Sequence, residues 1–270
     1  MHKTEMRNEK TMHIDRAATS EMISLLHEEN YNAVRAIDGA LPEIERAVDM
    51  IADRMAKGGR LIYMGAGTSG RLGVIDAAEC PPTYGGPTDT VMGIIAGGMD
   101  RMHSASEGAE DSGEAGISDL KSKNLTKFDT VMGISAAGNA AYVAEALAYA
   151  RSIGLLTIGL TCNFDSRLAT ETDVAIVTDT GAEAITGSTR MKAATAHKMV
   201  LTMISTAVMV KLGHVYENMM INLKPSNIKL KRRVISIVRE ILKCDEERAI
   251  ELLKANEWSI RRAIDADNKR

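Results

Sequence analysis

A chain of 270 residues, 45% of them hydrophobic, can fill the core of one large α/β domain with a small appendage, and is short for two complete domains. Its 33 basic and 36 acidic side chains are interspersed and sum to a formal charge of -3, which disfavours nucleic acid as a partner. No uninterrupted apolar stretch approaches about 20 residues and the start, MHKTEMRNEKTMHID, lacks an apolar leader, so no membrane partner and a cytoplasmic location are expected. Cys80, Cys162 and Cys244 are odd in number and contain no CxxC pair, which argues for reduced buried thiols rather than disulfides or structural zinc.

In chain order, Ser20 to about Asn30 shows helical spacing after a Ser that can cap, and a second helix runs from Pro42 to the Gly58-Gly59 stop. Leu61–Met64 reads as a strand entering a glycine turn, Gly65-Ala66-Gly67-Thr68-Ser69-Gly70, that opens a helix ending at Pro81 and Pro82, just after Glu79. Further short apolar runs at Val91–Ala96, Val131–Ser135, Leu156–Thr161 and Val174–Val177 lack clean alternation, as parallel strands buried on both faces do, and Ala140–Ile153 reads as a crossover helix. The predicted fold is α/β, with a doubly wound, mainly parallel five-stranded sheet. Between Gly97 and Asp129 lies an unusually long acidic connection with helices expected around Arg101–Glu110 and Gly113–Ser122. The stretch Glu183–Lys192 leads, through a Gly turn and Ser/Thr caps, into a long Ala/Met-rich helix ending near Gly213. From Ile228 three short helices are expected, with Asp245 and Ser259 as caps and Ile250, Leu253, Trp258 and Ile264 as a small core. The expected divisions are 1–58, helices that pack on the core or a partner subunit; 59–226, the α/β domain; and 227–270, the helical tail.

The glycine turn is an anion site by construction, because unpaired N–H groups at a helix N-terminus meet the positive end of the helix dipole and Thr68 and Ser69 add donors. Its GxGxxG pattern also admits a dinucleotide, but the second strand ends in IAGG with no carboxylate for a ribose, and a ligand-free structural turn is the plain alternative. Glu79 differs from the other acids by its place one short helix from the anion loop; burial there would raise its pKa and let it carry a proton at neutral pH. No HxH, HExxH or GxSxG pattern is present, and no metal site is expected.

Gly65–Gly85 (GAGTSGRLGVIDAAECPPTYG), Glu107–Ser112 (EGAEDS) and Glu183–Lys198 (EAITGSTRMKAATAHK) closely resemble the N-acetylmuramic acid 6-phosphate etherases, which have the SIS sugar-phosphate fold. The likeness starts near Ile14 and extends into the tail, where Cys244–Ile260 resembles the family's small ubiquitin-associated-like appendage. The resemblance implies cleavage of the D-lactyl ether of N-acetylmuramate 6-phosphate to N-acetylglucosamine 6-phosphate and D-lactate, with no cofactor, in peptidoglycan recycling. It implies Glu79 as the principal acid/base residue and Glu110 as its partner, without settling which acts at C2. Gly67, Thr68 and Ser69, with Ser135 and Gly138 of the second loop and Glu183, Ser188 and Thr189 of the third, would hold a sugar phosphate. A homodimer with sites near its interface is expected. The second loop departs from the family pattern ASGRTPY: it reads Ala136-Ala137-Gly138-Asn139-Ala140-Ala141-Tyr142. Ala194 and His197 also stand where the family commonly has Gly and Gln. A non-catalytic sugar-phosphate sensor, and an etherase or aldose-ketose isomerase with altered substrate, are the alternative readings.

Overall fold

The computed structural model describes residues 3–104, 108–223, 225 and 227–267; Glu107 and Ser226, named above in a motif and a division, lie outside them. The described chain divides into two compact units, one formed by residues up to Ala77 with Asp89–Val208, the other by Ala78–Thr88 with the residues from Met209 on.

In the larger unit, short 3-10 turns lead to α1 (Thr19–Arg35) and α2 (Leu41–Met55). α1 runs past Asn30 because no Gly or Pro interrupts the pattern until Gly39; its N-cap is Ala18, and Ser20 lies inside the helix. There follow β1 (Leu61–Gly65), α3 (Gly67–Tyr84), β2 (Val91–Ile95), α4 (Gly113–Lys121), β3 (Thr130–Ile134), α5 (Ala141–Ser152), β4 (Leu156–Thr161), the single turn α6 (Arg167–Thr170), β5 (Val174–Val177) and α7 (Lys192–Lys211), with α3 from Ala78 on and α7 from Met209 on belonging to the smaller unit. The five strands form one parallel sheet in the order β2-β1-β3-β4-β5. The chain winds outward from β1 to β2, then returns to the other side of β1 for β3, so the order reverses between β1 and β3. In such sheets ligands bind beyond the carboxyl ends of the strands at this switch point.

All residues of β1, β3 and β4 are buried, as continuous apolar runs in a parallel sheet require. On one face Ile62, Met64 and Val131 pack with Tyr142, Val143, Ala146 and Leu147 of α5. The Tyr142 hydroxyl donates to the Asp119 carboxylate at 2.7 Å, tying α5 to α4. At the amino end of β3, Arg60 forms a salt bridge of 2.6 Å with fully buried Asp129. Burial alone would push the Asp129 carboxyl up; hydrogen bonds from Arg60 and the Thr126 N–H outweigh it and hold the group below its usual range.

Two expectations fail here. α3 continues through Pro81 and Pro82 to Tyr84 instead of stopping, because the amide hydrogens the prolines lack would serve only the Ala77 and Ala78 carbonyls, while Thr83 Oγ1 donates to the Glu79 carbonyl and Gly85 N–H to that of Pro81. No α-helix forms among the described residues of 101–110: the segment holds 3-10 turns, Met99–Met102 and Ala109–Asp111, bounded by Gly98 and Gly108 at positive φ.

In the smaller unit, the hairpin β6 (Val215–Tyr216) and β7 (Met219–Met220) precedes α8 (Ile228–Leu242), α9 (Glu246–Ala255) and α10 (Ile260–Asp267). Asp245 and Ser259 accept the N–H groups of Arg248 and Arg262, as caps should. Leu253 and Ile264 enter the core with Val234, Val238, Ala249 and Leu252, and Trp258 packs against it. Ile250 is only half-buried, its neighbours Ala249 and Leu252 taking the inner face of α9. Cys80 and Cys162 are buried, whereas Cys244 is half-buried.

Candidate active site

A cavity of about 290 Å³ opens at the carboxyl ends of β1 and β3, lined by Ala66, Gly67, Thr68 and Ser69, by Ile134, Ser135, Ala136, Ala137 and Ala140, by Gly187 and Thr189, and by the carboxylates Glu5 and Glu110. Its floor is set by a close approach of backbones. A Cβ on Gly70 would lie 2.5 Å from the Gly65 carbonyl oxygen, so the chain can turn from β1 into α3 this tightly only with glycine there. Gly67, at φ +53, opens α3, and Gly67, Thr68 and Ser69 line the cavity at the helix N-terminus, where the dipole is positive.

The second loop is braced from below. Ser135 Oγ accepts the Gly138 N–H at 3.1 Å, Thr161 and Asn163 donate to the Ala136 carbonyl, and Asn139 Oδ1 accepts the Arg167 N–H. Gly138, at φ +78 and hard against Ser166, shapes this turn but does not line the cavity. Ala137 and Ala140, in the places where the resemblance leads one to expect hydroxyls, do line it.

The third loop is placed by Glu183, for which the resemblance implies a ligand-binding role. Glu183 is fully buried, and its carboxylate accepts the N–H groups of Lys192 and Ala193 at 3.0 and 2.9 Å, capping α7 in the role expected of Ser188 or Thr189. Burial pushes the Glu183 carboxyl upward, opposed by those two N–H groups. Beside it, the buried Lys192 ammonium pairs with Glu29 of α1 and donates to the Ala182 carbonyl at 2.6 Å. Thr189 reaches the cavity; Ser188 is half-buried and off its wall.

Of the two carboxylates expected to move protons, Glu110 lines the cavity from its 3-10 turn. Glu79 is exposed, twelve positions after Gly67 along α3, about three helical turns, and belongs to the smaller unit, whereas the residues that line the cavity belong to the larger. The burial anticipated for it is absent in the single chain. Glu5 was missed: it precedes every motif, and nothing in its spacing distinguishes it from a surface acid.

The SIS-domain family model matches residues 102–212, and that of the glucokinase regulatory protein N-terminal SIS domain matches 43–151. A solved phosphoheptose isomerase from Neisseria gonorrhoeae has the same fold, with TM-score 0.54 and 17% identity over 71% of this chain and 99% of that one. Curated proteins from Bacillus subtilis and Clostridium beijerinckii, each named N-acetylmuramic acid 6-phosphate etherase, are 50% and 49% identical over 97% of this chain and 86% of their own length. The chain belongs to the N-acetylmuramic acid 6-phosphate etherase family. With 47% identity, the relative of the same name from Salmonella agona is also covered over 88% of its length. Against that background the cavity, at the small end of ligand sites, has room for one phosphorylated sugar rather than a dinucleotide. A larger depression of about 610 Å³, lined by Arg46, Arg54 and Arg151, lies by the first residue of β4, away from the carboxyl ends beyond which ligands bind in open α/β sheets.

Proposed function

We propose that this protein is a carbon-oxygen lyase that cleaves the D-lactyl ether of N-acetylmuramic acid 6-phosphate, yielding N-acetylglucosamine 6-phosphate and D-lactate, in the recycling of cell-wall sugar. The observation that carries the reading is family membership at up to 50% identity over 97% of the chain. The residue types that line the cavity support it. Phosphate is taken by the N–H groups of Gly67–Ser69 and the hydroxyls of Thr68, Ser69, Ser135 and Thr189. In the open-chain sugar, the aldehyde acidifies the C2 proton. A carboxylate removes it, the C3–O bond breaks as the lactate oxygen gains a proton, and water then adds at C3 while C2 is reprotonated. We assign these transfers to Glu110 and Glu79. Gly138, Glu183 and Ser188 act by shaping the loops.

A phosphorylated sugar does not cross a bilayer unaided, so we place the enzyme in the cytoplasm, where its substrate is held. We also propose a homodimer with sites near the interface, in which the exposed Glu79 of one copy serves the cavity of the other.

Incubation of the purified protein with N-acetylmuramic acid 6-phosphate should release D-lactate, and Glu110→Gln should lower the rate at least about 100-fold while sugar-phosphate binding persists. Absence of D-lactate from folded wild-type protein would refute the assignment.

A further inference from the structure

The cavity's anion-binding wall faces a group that cannot bind an anion. Glu5 lines the same space as Gly67–Ser69, and no Lys, Arg or His does so among the described residues. Its Oε2 lies 3.4 Å from where a Cβ on Gly187 would stand, so the carboxylate rests against the third loop's turn. The backbone that delivers it is fastened on both sides. Thr4 is fully buried within reach of Asn163 Nδ2, Asn8 donates to Glu29 at 2.8 Å, and buried Thr11 donates to the Ala184 carbonyl at 2.8 Å. Among the described residues no hydrogen bond or ion pair takes up the Glu5 carboxylate itself.

A carboxylate and a phosphate are both acceptors and repel each other, so Glu5 does not add to phosphate binding. What it can accept are the O–H and N–H groups of a sugar whose phosphate is anchored at the other wall. We propose that Glu5 is a substrate-binding residue that accepts a hydrogen bond from a hydroxyl or the acetamido N–H of the amino-sugar phosphate and keeps a second anionic group away from the Gly187 turn. The choice of sugar rests on the function proposed above; the geometry does not.

The test is calorimetric binding of N-acetylglucosamine 6-phosphate and, separately, inorganic phosphate to the full chain tagged at its C-terminus, for wild type, Glu5→Gln and Glu5→Ala, with melting temperatures alongside. The expected result is a loss of about 10- to 100-fold in sugar-phosphate affinity for Glu5→Ala and a smaller loss for the isosteric Glu5→Gln, with inorganic phosphate bound as well as or better than by wild type. Sugar-phosphate affinity within about twofold of wild type, or an equal loss for both ligands, overturns the proposal. D-lactate release by the same wild-type preparation is scored separately: its failure removes the function proposed above, and the comparison of the two ligands still decides the role of Glu5.

Discussion

Ala140 holds two positions at once. It is the N-cap of α5, where no side chain bonds the first N–H groups of the helix, and it lines the cavity. Ser or Thr at an N-cap is worth about 1 kcal/mol over Ala, so this chain gives up helix stability and a ligand hydroxyl at the same residue. Ala137 gives up only the hydroxyl. The two effects separate by experiment. Ala137→Ser should tighten N-acetylglucosamine 6-phosphate by up to about tenfold with little change in melting temperature, through one new bond to a charged group. Ala140→Thr should raise the melting temperature as well. Unchanged affinity in both variants would mean that the N–H groups of the first loop already saturate the phosphate.

Among the elements, α7 carries the most buried polar chemistry. Its N-terminus is capped by Glu183 and pinned by the Lys192–Glu29 pair, and one turn on, His197 is 1% exposed with its Nε2 3.4 Å from Cys162 Sγ. Burial drives the His197 pKa down to about 4, despite a hydrogen bond to the Thr161 backbone, and pushes the Cys162 thiol up to about 11. Cys162 is therefore a packed thiol, not a reactive one. The histidine makes folding pH-dependent. In the unfolded chain it titrates near 6.5, so between about pH 6.5 and 4 the unfolded state binds more protons and stability falls as pH falls, by up to about 3 kcal/mol in total. Above that window His197 contributes no slope. His197→Gln should flatten the loss, read as a smaller drop in urea midpoint between pH 7 and pH 5 than wild type shows. Asp76 and Glu183, whose carboxyls burial pushes upward, act in the opposite direction in both proteins and cancel in the comparison. Equal drops would show that the ring is protonated or hydrated in the native state.

At the scale of the whole molecule, the proposed homodimer rests on the proposed role of Glu79. Glu79 is exposed on the part of α3 that belongs to the smaller unit, while Glu110 lines the cavity of the larger. If two copies share sites, Glu79→Ala and Glu110→Ala proteins, each inactive, should regain about a quarter of wild-type activity when mixed and allowed to exchange subunits, since half the dimers are then mixed and each has one intact site. No recovery under conditions where exchange is demonstrated would place both carboxylates in one chain's site.

Much of this was legible in the residues alone. Continuous apolar runs between glycines identify parallel strands, because a strand buried on both faces has no polar side to alternate with. Gly65, Gly67 and Gly70 announce the anion turn, because only glycine lets the backbones of Gly65 and Gly70 meet so closely and glycine readily takes the positive φ of Gly67. Both are local properties, and so are the caps at Asp245 and Ser259. What only the tertiary structure decided depends on which distant groups meet. Glu183 became a helix cap because the chain folds it back onto the start of α7, nine and ten residues later, and no spacing rule separates that from ligand binding. Glu5 reached the cavity because Thr4, Asn8 and Thr11 are fastened to residues more than twenty positions away. Glu79 stayed in solvent because helix position alone does not fix burial. Burial and pairing are properties of the assembled fold, so sequence named the kinds of chemistry present and the fold chose the residues that share a site.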